Sequence, residues 1–413
     1  VYALFDGSDF DIEQALDAAY REISAVDISS ISSALSVSTI AAKRHYHKTG
    51  SLRWCELKVM FTSQIPLEVP KFEATNNSFG VFILALNDDA SSADFSELFD
   101  ISDVDLAIAV SDRSQNLIAL AREKTALESI LADNSELQRD RIARREVSDR
   151  IEAVSVQIEK EVLQLVKGVD WQIGAGENRY LDWAGLNALA SEFADRRFNK
   201  APKLRNELLN RTKPSGSANA ALKQLLYAAV QKEGLEDLGF EKYPAERGLF
   251  ESLISANNLY AKVDGNWSFI EPEKSDSANL NFLWSATKKY LKKNATRNIQ
   301  LVEIYNLWRE APYGVKDGLM PLLAVVFMLA NRRNLSFYRD GIFLSSITDV
   351  DIDYILKAPQ LVQLRWMDMN DSTRRLLSDL ANVATELSGA PVEDLSPLDV
   401  GRALIAAYES SAP

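Results

Sequence analysis

Residues 113–167 contain neither proline nor glycine, and this uninterrupted stretch is the strongest constraint on how the 413-residue chain folds. In its second half, apolar residues recur at spacings of 4, 3, 4, 4 and 3: Val147, Ile151, Val154, Ile158, Val162 and Leu165. That spacing puts apolar side chains on one face of a helix and is typical of a coiled-coil seam. The stretch therefore predicts a long amphipathic helix packed against a partner helix.

The first half of the same stretch supplies that partner. Leu117, Leu120, Leu127 and Leu131 form a similar series, which Lys124 interrupts, and the polar segment "ADNSELQRD" separates the two halves. At 1.5 Å per residue, two helices of roughly 35 Å result. The sequence thus predicts a projecting, antiparallel, coiled-coil-like helical hairpin over 113–168, with its seam buried inside the pair or against a partner.

Residues 1–112 predict an α/β domain. Short runs rich in β-formers lie at 1–5, 52–61, 79–86 and 106–110. The last two are continuously apolar, as expected of strands that are covered on both faces. Amphipathic stretches at about 9–25 and 28–46 predict two helices between the first two strands.

Residues 169–272 and 273–368 share a plan of helices followed by a β-hairpin. "VDGNW" places Asp264-Gly265 between two β-capable runs, and "LSFYRDGIFLSSI" has Asp340-Gly341 at its tip. Asp-Gly strongly favours a two-residue hairpin turn. Helices followed by a hairpin are the outline of a winged helix, so we expect two winged-helix-like units. The other elements expected in the second unit are helices at about 280–293, 299–309, 316–332 and 349–357 and a strand in "LVQLRWM".

The fold class that these patterns predict is a mostly helical, multidomain α+β protein. It combines a partial α/β domain, the long antiparallel helical hairpin, two winged-helix-like units and a C-terminal part, 369–413, with helices at 371–388 and 397–409. A chain of this length is expected to form more than one core. The first residues, "VYALFDGSDF", lack an initiator methionine and a signal-peptide pattern, so we expect a fragment of a longer protein.

Composition favours a cytoplasmic protein that does not enter a membrane. Cys55 is the single cysteine, which fits a reducing compartment. The longest apolar run, 319–330, has 12 residues and contains a proline, too short to span a bilayer. The net charge of -13 argues against general coating of nucleic acid. Any DNA contact must therefore come from a local basic patch.

Familiar catalytic motifs are missing from the sequence. It contains no GxxxxGKS/T phosphate loop, and no GxGxxG, GxSxG or HExxH. "VFILALNDD" ends in Asp88 and Asp89, a superficial match to the Mg²⁺-holding strand of an NTPase. Acids commonly follow strands as loop residues, and we favour that interpretation.

The two histidines, His45 and His47, lie near Cys55 and raise the question of a zinc site. Their spacing matches no familiar zinc site and a fourth ligand is not evident, so we favour a helix end that turns into a strand. No recognisable motif places a nucleophile beside either histidine. We therefore assign no catalytic and no metal-ligating residue.

Residues 196–223 form a basic island in this acidic chain, with eight lysines and arginines against one acid, Glu207. Within the island, "PSGS" opens onto an Ala/Leu helix, whose first backbone N–H groups and dipole favour an anion. Arginine side chains suit phosphate oxygens. The island therefore predicts a phosphate or nucleic-acid contact formed by six residues: Arg205, Arg211, Lys213, Ser215, Gly216 and Ser217.

The island also has a structural interpretation. Ser215 or Ser217 would then only cap the helix, and the cations would balance acidic neighbours in ion pairs between domains. The net charge of -13 favours this alternative for the isolated chain, because it repels a polyanion.

Several short motifs follow one another in an order found in a known family. They are "RHYHKTGSLRW", "DLAIAVSDR" with "LIALAREKTALESIL", "RIARREV", "RNELLNRTKPSGSANAALKQLL", "YPAERGLFESLI" and "APYGVKDGLMPLLAVVFML". In this succession the chain resembles the region beyond the P-loop in large ATP-binding proteins of bacterial phage-defence islands, of the BREX and Pgl type. The resemblance implies a cytosolic AAA-type ATPase in a multi-subunit complex that recognises foreign DNA, with 1–112 at the end of its ATPase region.

The resemblance does not extend to catalysis by this chain, because the P-loop lysine and its glycines are missing. It implies no cofactor here, and ATP with Mg²⁺ only in a full-length protein. The residues that match by position are Arg205, Asn206, Asn210, Arg211, Pro312, Tyr313, Gly314 and Gly318. In "APYGVKDG", a proline and two glycines suit a tight entry into the next helix, which favours a folding signature over a catalytic one.

We weigh three functions. The first is a non-catalytic, nucleic-acid-associated assembly region of a phage-defence ATPase; the second is a pure protein-interaction scaffold; an independent enzyme is the least supported. A DNA-reading helix needs exposed basic or amide side chains. "AERGLFESLISANNLY" offers only Arg247, and "DGLMPLLAVVFMLANRRN" is apolar until Arg332. We therefore expect the wings to contact other defence subunits or a second copy, and any DNA contact to fall on 196–223.

We expect the purified 413-residue chain neither to bind ATP tightly nor to hydrolyse it, because no segment combines a glycine-rich anion cradle with a lysine. A phosphate-release assay with ATP and Mg²⁺ checks this. Turnover that a point substitution within this chain abolishes would contradict it.

Overall fold

The computed structural model describes residues 10–22, 31, 34, 38–87, 95–101, 105–134, 137, 140–174, 177–344, 346–367, 371–388 and 397–411. Within these residues the protein is mixed α+β and mostly helical, which confirms the expected class. The chain divides into two compact units. Unit 1 comprises Val1–His45 and Leu52–Arg196, and unit 2 comprises Tyr46–Ser51 and Arg197–Pro413. The strand expected at 1–5 and the acids Asp88 and Asp89 lie outside the described residues.

Unit 1 is built on a mixed six-stranded sheet in the order β1-β2-β3-β4-β5-β6. The strands are β1 (Thr39–Ala41), β2 (Trp54–Phe61), β3 (Ser78–Leu86), β4 (Asp105–Ser111), β5 (Asp170–Gly174) and β6 (Glu177–Tyr180). β2, β3 and β4 are parallel, and the remaining pairings are antiparallel. The central strands β3 and β4 are buried along almost their whole length, as their continuous apolar sequences predict.

Three strands of this sheet differ from the sequence prediction. β1 lies where a helix was expected over 28–46, and β5 and β6 begin a region that was expected to be helical. All three are short strands of three to five residues. So short a segment shows too little periodicity to identify, and pairing with a neighbouring strand overrides its local preference.

The helices of unit 1 are α1 (Ile12–Glu22), α2 (Lys43–Thr49), α3 (Ile65–Glu68), α4 (Ser96–Ile101), α5 (Gln115–Asp133), α6 (Arg141–Lys167) and α7 (Trp183–Arg197). α2 and α7 each extend into a segment assigned to unit 2. α5 and α6 contact each other, and α1 contacts α5. Asp140 is the N-cap of α6, because its Oδ1 accepts hydrogen bonds from the backbone N–H groups of Ile142 and Ala143.

Most of the predicted seam of α6 is buried: Val147, Val154, Ile158, Val162 and Leu165. Ile151 is only half-buried. On α5, Lys124 does not interrupt the buried face as expected, since it is itself buried and its Nζ lies 2.9 Å from Glu128 Oε1. A long aliphatic stem lets lysine occupy an apolar position while its ammonium reaches a carboxylate.

Unit 2 contains eight further helices in the described part of the chain: α8 (Gly216–Gln231), α9 (Ala245–Leu249), α10 (Leu280–Lys293), α11 (Leu301–Arg309), α12 (Met320–Ala330), α13 (Asp349–Lys357), α14 (Asp371–Ser388) and α15 (Pro397–Ser411). Its strands are β7 (Tyr260–Val263), β8 (Asn266–Phe269), β9 (Ile299–Gln300), β10 (Leu335–Arg339), β11 (Ile342–Leu344) and β12 (Val362–Trp366). β7 pairs with β8, and an antiparallel sheet has the order β11-β10-β12-β9.

Two Asp-Gly pairs make the tight turns of unit 2. Asp264 and Gly265 have φ of 52° and 92° between β7 and β8, and Asp340 and Gly341 have φ of 51° and 77° between β10 and β11. Positive φ at both central residues is the geometry that the Asp-Gly sequence favours in a two-residue hairpin.

The apolar helix α12 lies at the centre of unit 2. Met320 and every residue from 322 to 329 are buried, so that all sides of the helix are covered. Trp284 of α10 packs edge-on against Phe327, and Trp308 Nε1 donates to Thr287 Oγ1 at 2.8 Å. Among the described helices, none is both long and apolar enough to cross a membrane.

Ile158→Asp should lower the free energy of unfolding by roughly 3–5 kcal/mol, because Ile158 is fully buried and the carboxylate would have no cationic partner. The matched control is Val156→Asp, at a position on the same helix that is 61% exposed. That variant should change stability by no more than about 0.5 kcal/mol. Chemical denaturation of both variants tests this, and equal stabilities would show the seam to be wrongly placed.

Candidate nucleic-acid interface

The middle of the basic island is residues 203–218 of unit 2, which we call the basic loop; it comprises an irregular segment, 203–215, and the first residues of α8. Asn206 stabilises its first turn, because its Oδ1 accepts from the N–H groups of Leu208 and Leu209. Its Nδ2 donates to Ser252 Oγ at 2.9 Å. An asparagine that bonds its own backbone in this way fixes a turn without regular secondary structure.

Asn210 joins the basic loop to the segment 46–51 of the same unit. Its side chain is buried, and its Oδ1 accepts from Ser51 Oγ at 2.9 Å. Its Nδ2 donates to the carbonyl oxygens of Leu204 at 2.7 Å and Thr49 at 3.4 Å. Both ends of the amide are therefore used, as a buried polar group requires.

A third segment, residues 312–318, packs on the same loop. The N–H of Gly318 donates to the carbonyl oxygen of Arg211 at 3.0 Å. A Cβ at position 318 would lie 2.3 Å from Leu209 O and 2.4 Å from Pro214 Cγ, so only glycine fits. The requirement for a glycine is thus one of close backbone approach, which supports a folding role for "APYGVKDG".

Three of the four cations of the basic loop lie at the protein surface. Arg205, Arg211 and Lys213 are exposed. Among the described residues, none of the three has a carboxylate within ion-pair distance. Glu207, the single acid of the island, instead accepts a hydrogen bond of 2.5 Å from the hydroxyl of Tyr46. That bond is the main cause of the raised pKa of Tyr46, followed by burial.

The two ends of the island behave differently from its middle. In unit 1, Arg196 pairs with Asp105 at 2.7 Å. In unit 2, Lys223 pairs with Asp353 at 2.7 Å, and this hydrogen-bonded pair raises the pKa of Lys223. Lys200 Nζ lies 5.7 Å from the ring centroid of Phe282. Arg196 and Lys223 thus pair with acids of their own units, not across the two units, whereas Arg205, Arg211 and Lys213 have no carboxylate partner in the described part of the chain.

The start of α8 lies beside these cations in sequence. Ser215 caps the helix, because its Oγ accepts from the N–H of Ala218 at 3.2 Å; it also lies 3.1 Å from Ser217 Oγ. The N–H groups of Gly216 and Ser217 precede the first helical hydrogen bonds, and both residues are exposed. These two amides and the positive end of the helix dipole face solvent, where an anion can bind.

The histidine region forms a different cluster, in unit 1. His45 is buried; its Nδ1 lies 2.7 Å from Asp195 Oδ1, and Arg53 Nε donates to its Nε2 at 3.3 Å. Because Nε2 accepts from Arg53, Nδ1 is the nitrogen that donates to Asp195. Burial lowers the pKa of Arg53 to about 9. With both ring nitrogens engaged, His45 has no lone pair left for a metal.

Cys55 is also buried, and burial raises the pKa of its thiol well above the usual value. A high pKa makes a thiol a poor nucleophile and a poor metal ligand. In the part of the chain that the structure describes, no three His, Cys, Asp or Glu side chains are grouped so as to hold a metal ion.

Neither helix before a hairpin offers a DNA-reading face. Arg247 of α9 forms an ion pair with Glu251 at 2.8 Å, and α12 is buried on all sides. The basic loop is therefore the better candidate for contact with nucleic acid.

Comparisons of the chain with protein families, with curated proteins and with solved structures found no match.

The sequence identified the exposed cations and the helix start, but it did not identify what holds them. The sequence assigned no role to Ser51 or Glu207, it marked Asn210 only as a match to a family, and it predicted a folding role for Gly318 without its contact to the loop. One sequence feature could have indicated these contacts, namely the polar segment "LLNRTKPSGS" between apolar helical stretches. Such polarity predicts side-chain hydrogen bonds, but it does not identify their partners.

Gly318→Ala should lower the free energy of unfolding by about 1–3 kcal/mol, because the added methyl group meets backbone that cannot move freely. Gly248→Ala, at an exposed helical position with open space around the Cβ, is the matched control. It should be neutral or stabilising by up to about 1 kcal/mol. Thermal and denaturant unfolding of both variants decides the point; equal effects would mean that position 318 tolerates a side chain.

Proposed function

We propose that this chain is a non-catalytic region that contacts the phosphates of nucleic acid through the basic loop, without reading base sequence. The observation that carries the proposal is that Arg205, Arg211 and Lys213 are exposed and have no carboxylate partner among the described residues. Charged side chains of this kind gain most from a polyanion, because phosphate contact releases condensed counterions.

The rigid attachment of the loop supports the same proposal. Asn206, Asn210 and Gly318 fix the backbone from which the cations project, so little backbone entropy is lost on binding. The free amides of Gly216 and Ser217 add donors for phosphate oxygens. These groups recognise charge and backbone, and no base edge, so the contact is expected to be indifferent to sequence.

A protein-interaction role is the second candidate, and one observation favours it. Ile342, on the edge strand β11, is 69% exposed, beside the partly exposed Phe343. We propose that α10 to β12 form a winged-helix-like unit whose hairpin contacts a protein partner, either another subunit or a second copy. The order of the elements along the chain supports this proposal: a helix (α10), a strand (β9), two helices (α11 and α12) and a hairpin (β10 and β11). The unit differs from a simple winged helix in one respect, because β12 lies between β10 and β9 in the sheet.

The family resemblance supplies the context for both candidates. We propose that the chain serves within a multi-subunit phage-defence ATPase, where the basic loop holds DNA while other parts of the assembly supply nucleotide hydrolysis. The net charge of -13 makes DNA affinity of the isolated chain weak, and a partner with positive surface would raise it.

Binding of labelled duplex DNA should fall steeply with salt. If the three cations each neutralise one phosphate, affinity should drop roughly 40-fold between about 50 mM and 200 mM salt. Arg211→Glu/Lys213→Glu should remove most of the binding and leave the melting temperature unchanged, since both side chains are exposed and have no ion-pair partner in the described part.

The matched control is Lys262→Glu/Arg375→Glu, which makes the same charge change at exposed positions of unit 2 outside the loop. It should reduce affinity much less. Binding that ignores both salt and the loop reversal, or that both double reversals weaken equally, would contradict the proposal. A lower melting temperature for the loop reversal would show that these cations are structural.

A further inference from the structure

A second group of cations lines a cleft of unit 2 that lies outside the basic loop. The cleft has a volume of about 670 Å³ and is formed by α10, the end of α12 and the end of β12. Four of its residues, Ser285, Lys288, Lys289 and Lys292, follow the spacing of one helical face. The opposite face of α10 is buried in the core. The helix backbone that carries the lysines is therefore held in place along the cleft.

The charge of the cleft is only partly compensated. Glu271 accepts hydrogen bonds from Lys288 Nζ with both carboxylate oxygens, at 2.9 and 2.7 Å. Neither Lys289 nor Lys292 has a carboxylate partner among the residues that the structure describes. Two positive charges therefore face the cleft without neutralisation, in a chain whose net charge is -13.

Helix polarity does not account for all of these lysines. Lys292 and Lys293 lie in the last turn of α10, where cations complement the negative end of the helix. Lys289 lies before that turn. The helix dipole therefore does not account for its position on the cleft.

The other walls of the cleft contain Trp366 and Asn334. Trp366 is 6% exposed, and its Nε1–H is buried without an acceptor in the described structure. Lys292 Nζ lies 5.2 Å from the centroid of the same ring. The side-chain amide of Asn334 has no protein partner among the described residues, whereas Asn331 donates to Phe327 O at 3.0 Å.

We propose that this cleft binds a phosphate group. Two uncompensated ammonium groups on one wall and the side-chain amide of Asn334 on another suit a compact anion that carries several acceptor oxygens. Lysine binds phosphate as a point charge and needs no planar partner, unlike the arginine forks that match carboxylates. The site is separate from the basic loop, so it stands whether or not the loop contacts DNA.

The test is a titration of the whole ¹⁵N-labelled chain, observed at the indole N–H signal of Trp366. Trp366→Phe assigns that signal among the seven tryptophans. The probes are inorganic phosphate, a deoxynucleoside 5′-monophosphate and a short single-stranded oligonucleotide, each at constant ionic strength made up with sodium chloride. Saturable shifts of the Trp366 signal are expected, while the other indole signals stay in place.

Lys289→Glu should weaken the apparent affinity for phosphate at least tenfold, and Lys289→Gln at least threefold. The matched control is Lys293→Glu, because Lys293 is an exposed lysine of the same helix that does not line the cleft. The affinity of this variant for phosphate should stay within twofold of that of the unchanged chain. Arg211→Glu/Lys213→Glu should leave the Trp366 response unchanged, which separates this site from the basic loop.

Equal responses to phosphate and monophosphate would assign the site to small phosphorylated molecules, and a response to the oligonucleotide alone would assign it to the nucleic-acid backbone. Both results support a phosphate site. No saturable shift with any probe, or an unchanged affinity in Lys289→Glu and Lys289→Gln, would overturn it. Unmoved signals of the other tryptophans in each variant show that the variant is folded.

Discussion

The buried side chain of Asn210 is the contact on which the candidate interface depends. One amide group holds Leu204, Thr49 and Ser51 together, and so joins two segments of unit 2 that lie far apart in sequence. Gly318 adds a third segment by approaching the loop more closely than any other residue could. Because polar and backbone contacts fix the loop, its charged side chains are not needed for packing and remain exposed.

The cations of the basic island discussed above therefore fall into two groups. Arg196 and Lys223 lie at the ends of the basic island and are used in ion pairs. The Arg196 pair has a buried carboxylate, Asp105, whereas both side chains of the Lys223 pair are partly exposed. Arg205, Arg211 and Lys213 have no such pairing in the described residues, although acidic residues outnumber basic ones by 59 to 46 in the whole chain. Their exposure favours a ligand with negative charge over a role in folding.

The sequence predicted those features that follow from local pattern. The Asp-Gly turns at 264–265 and 340–341, the central strands β3 and β4 and the bounds of α10 all follow from periodicity and turn chemistry. Strands β1, β5 and β6 could not be predicted, because their conformation depends on pairing with neighbours. For the same reason, the sequence indicated the charges of the basic loop but not the hydrogen bonds of Asn210. The sequence indicated no role for the lysines of α10, because only the fold brings Trp366 and Asn334 to the same cleft.

The most direct test of the account is amide hydrogen exchange of the whole chain with and without duplex DNA at low salt. The N–H groups of Gly216 and Ser217 precede the first helical hydrogen bonds and should exchange quickly in the free chain. We expect DNA to slow exchange in peptides covering 203–218, and higher salt to reverse the effect. Bound DNA that leaves 203–218 unprotected and instead protects α9 or the hairpin of β10 and β11 would contradict it.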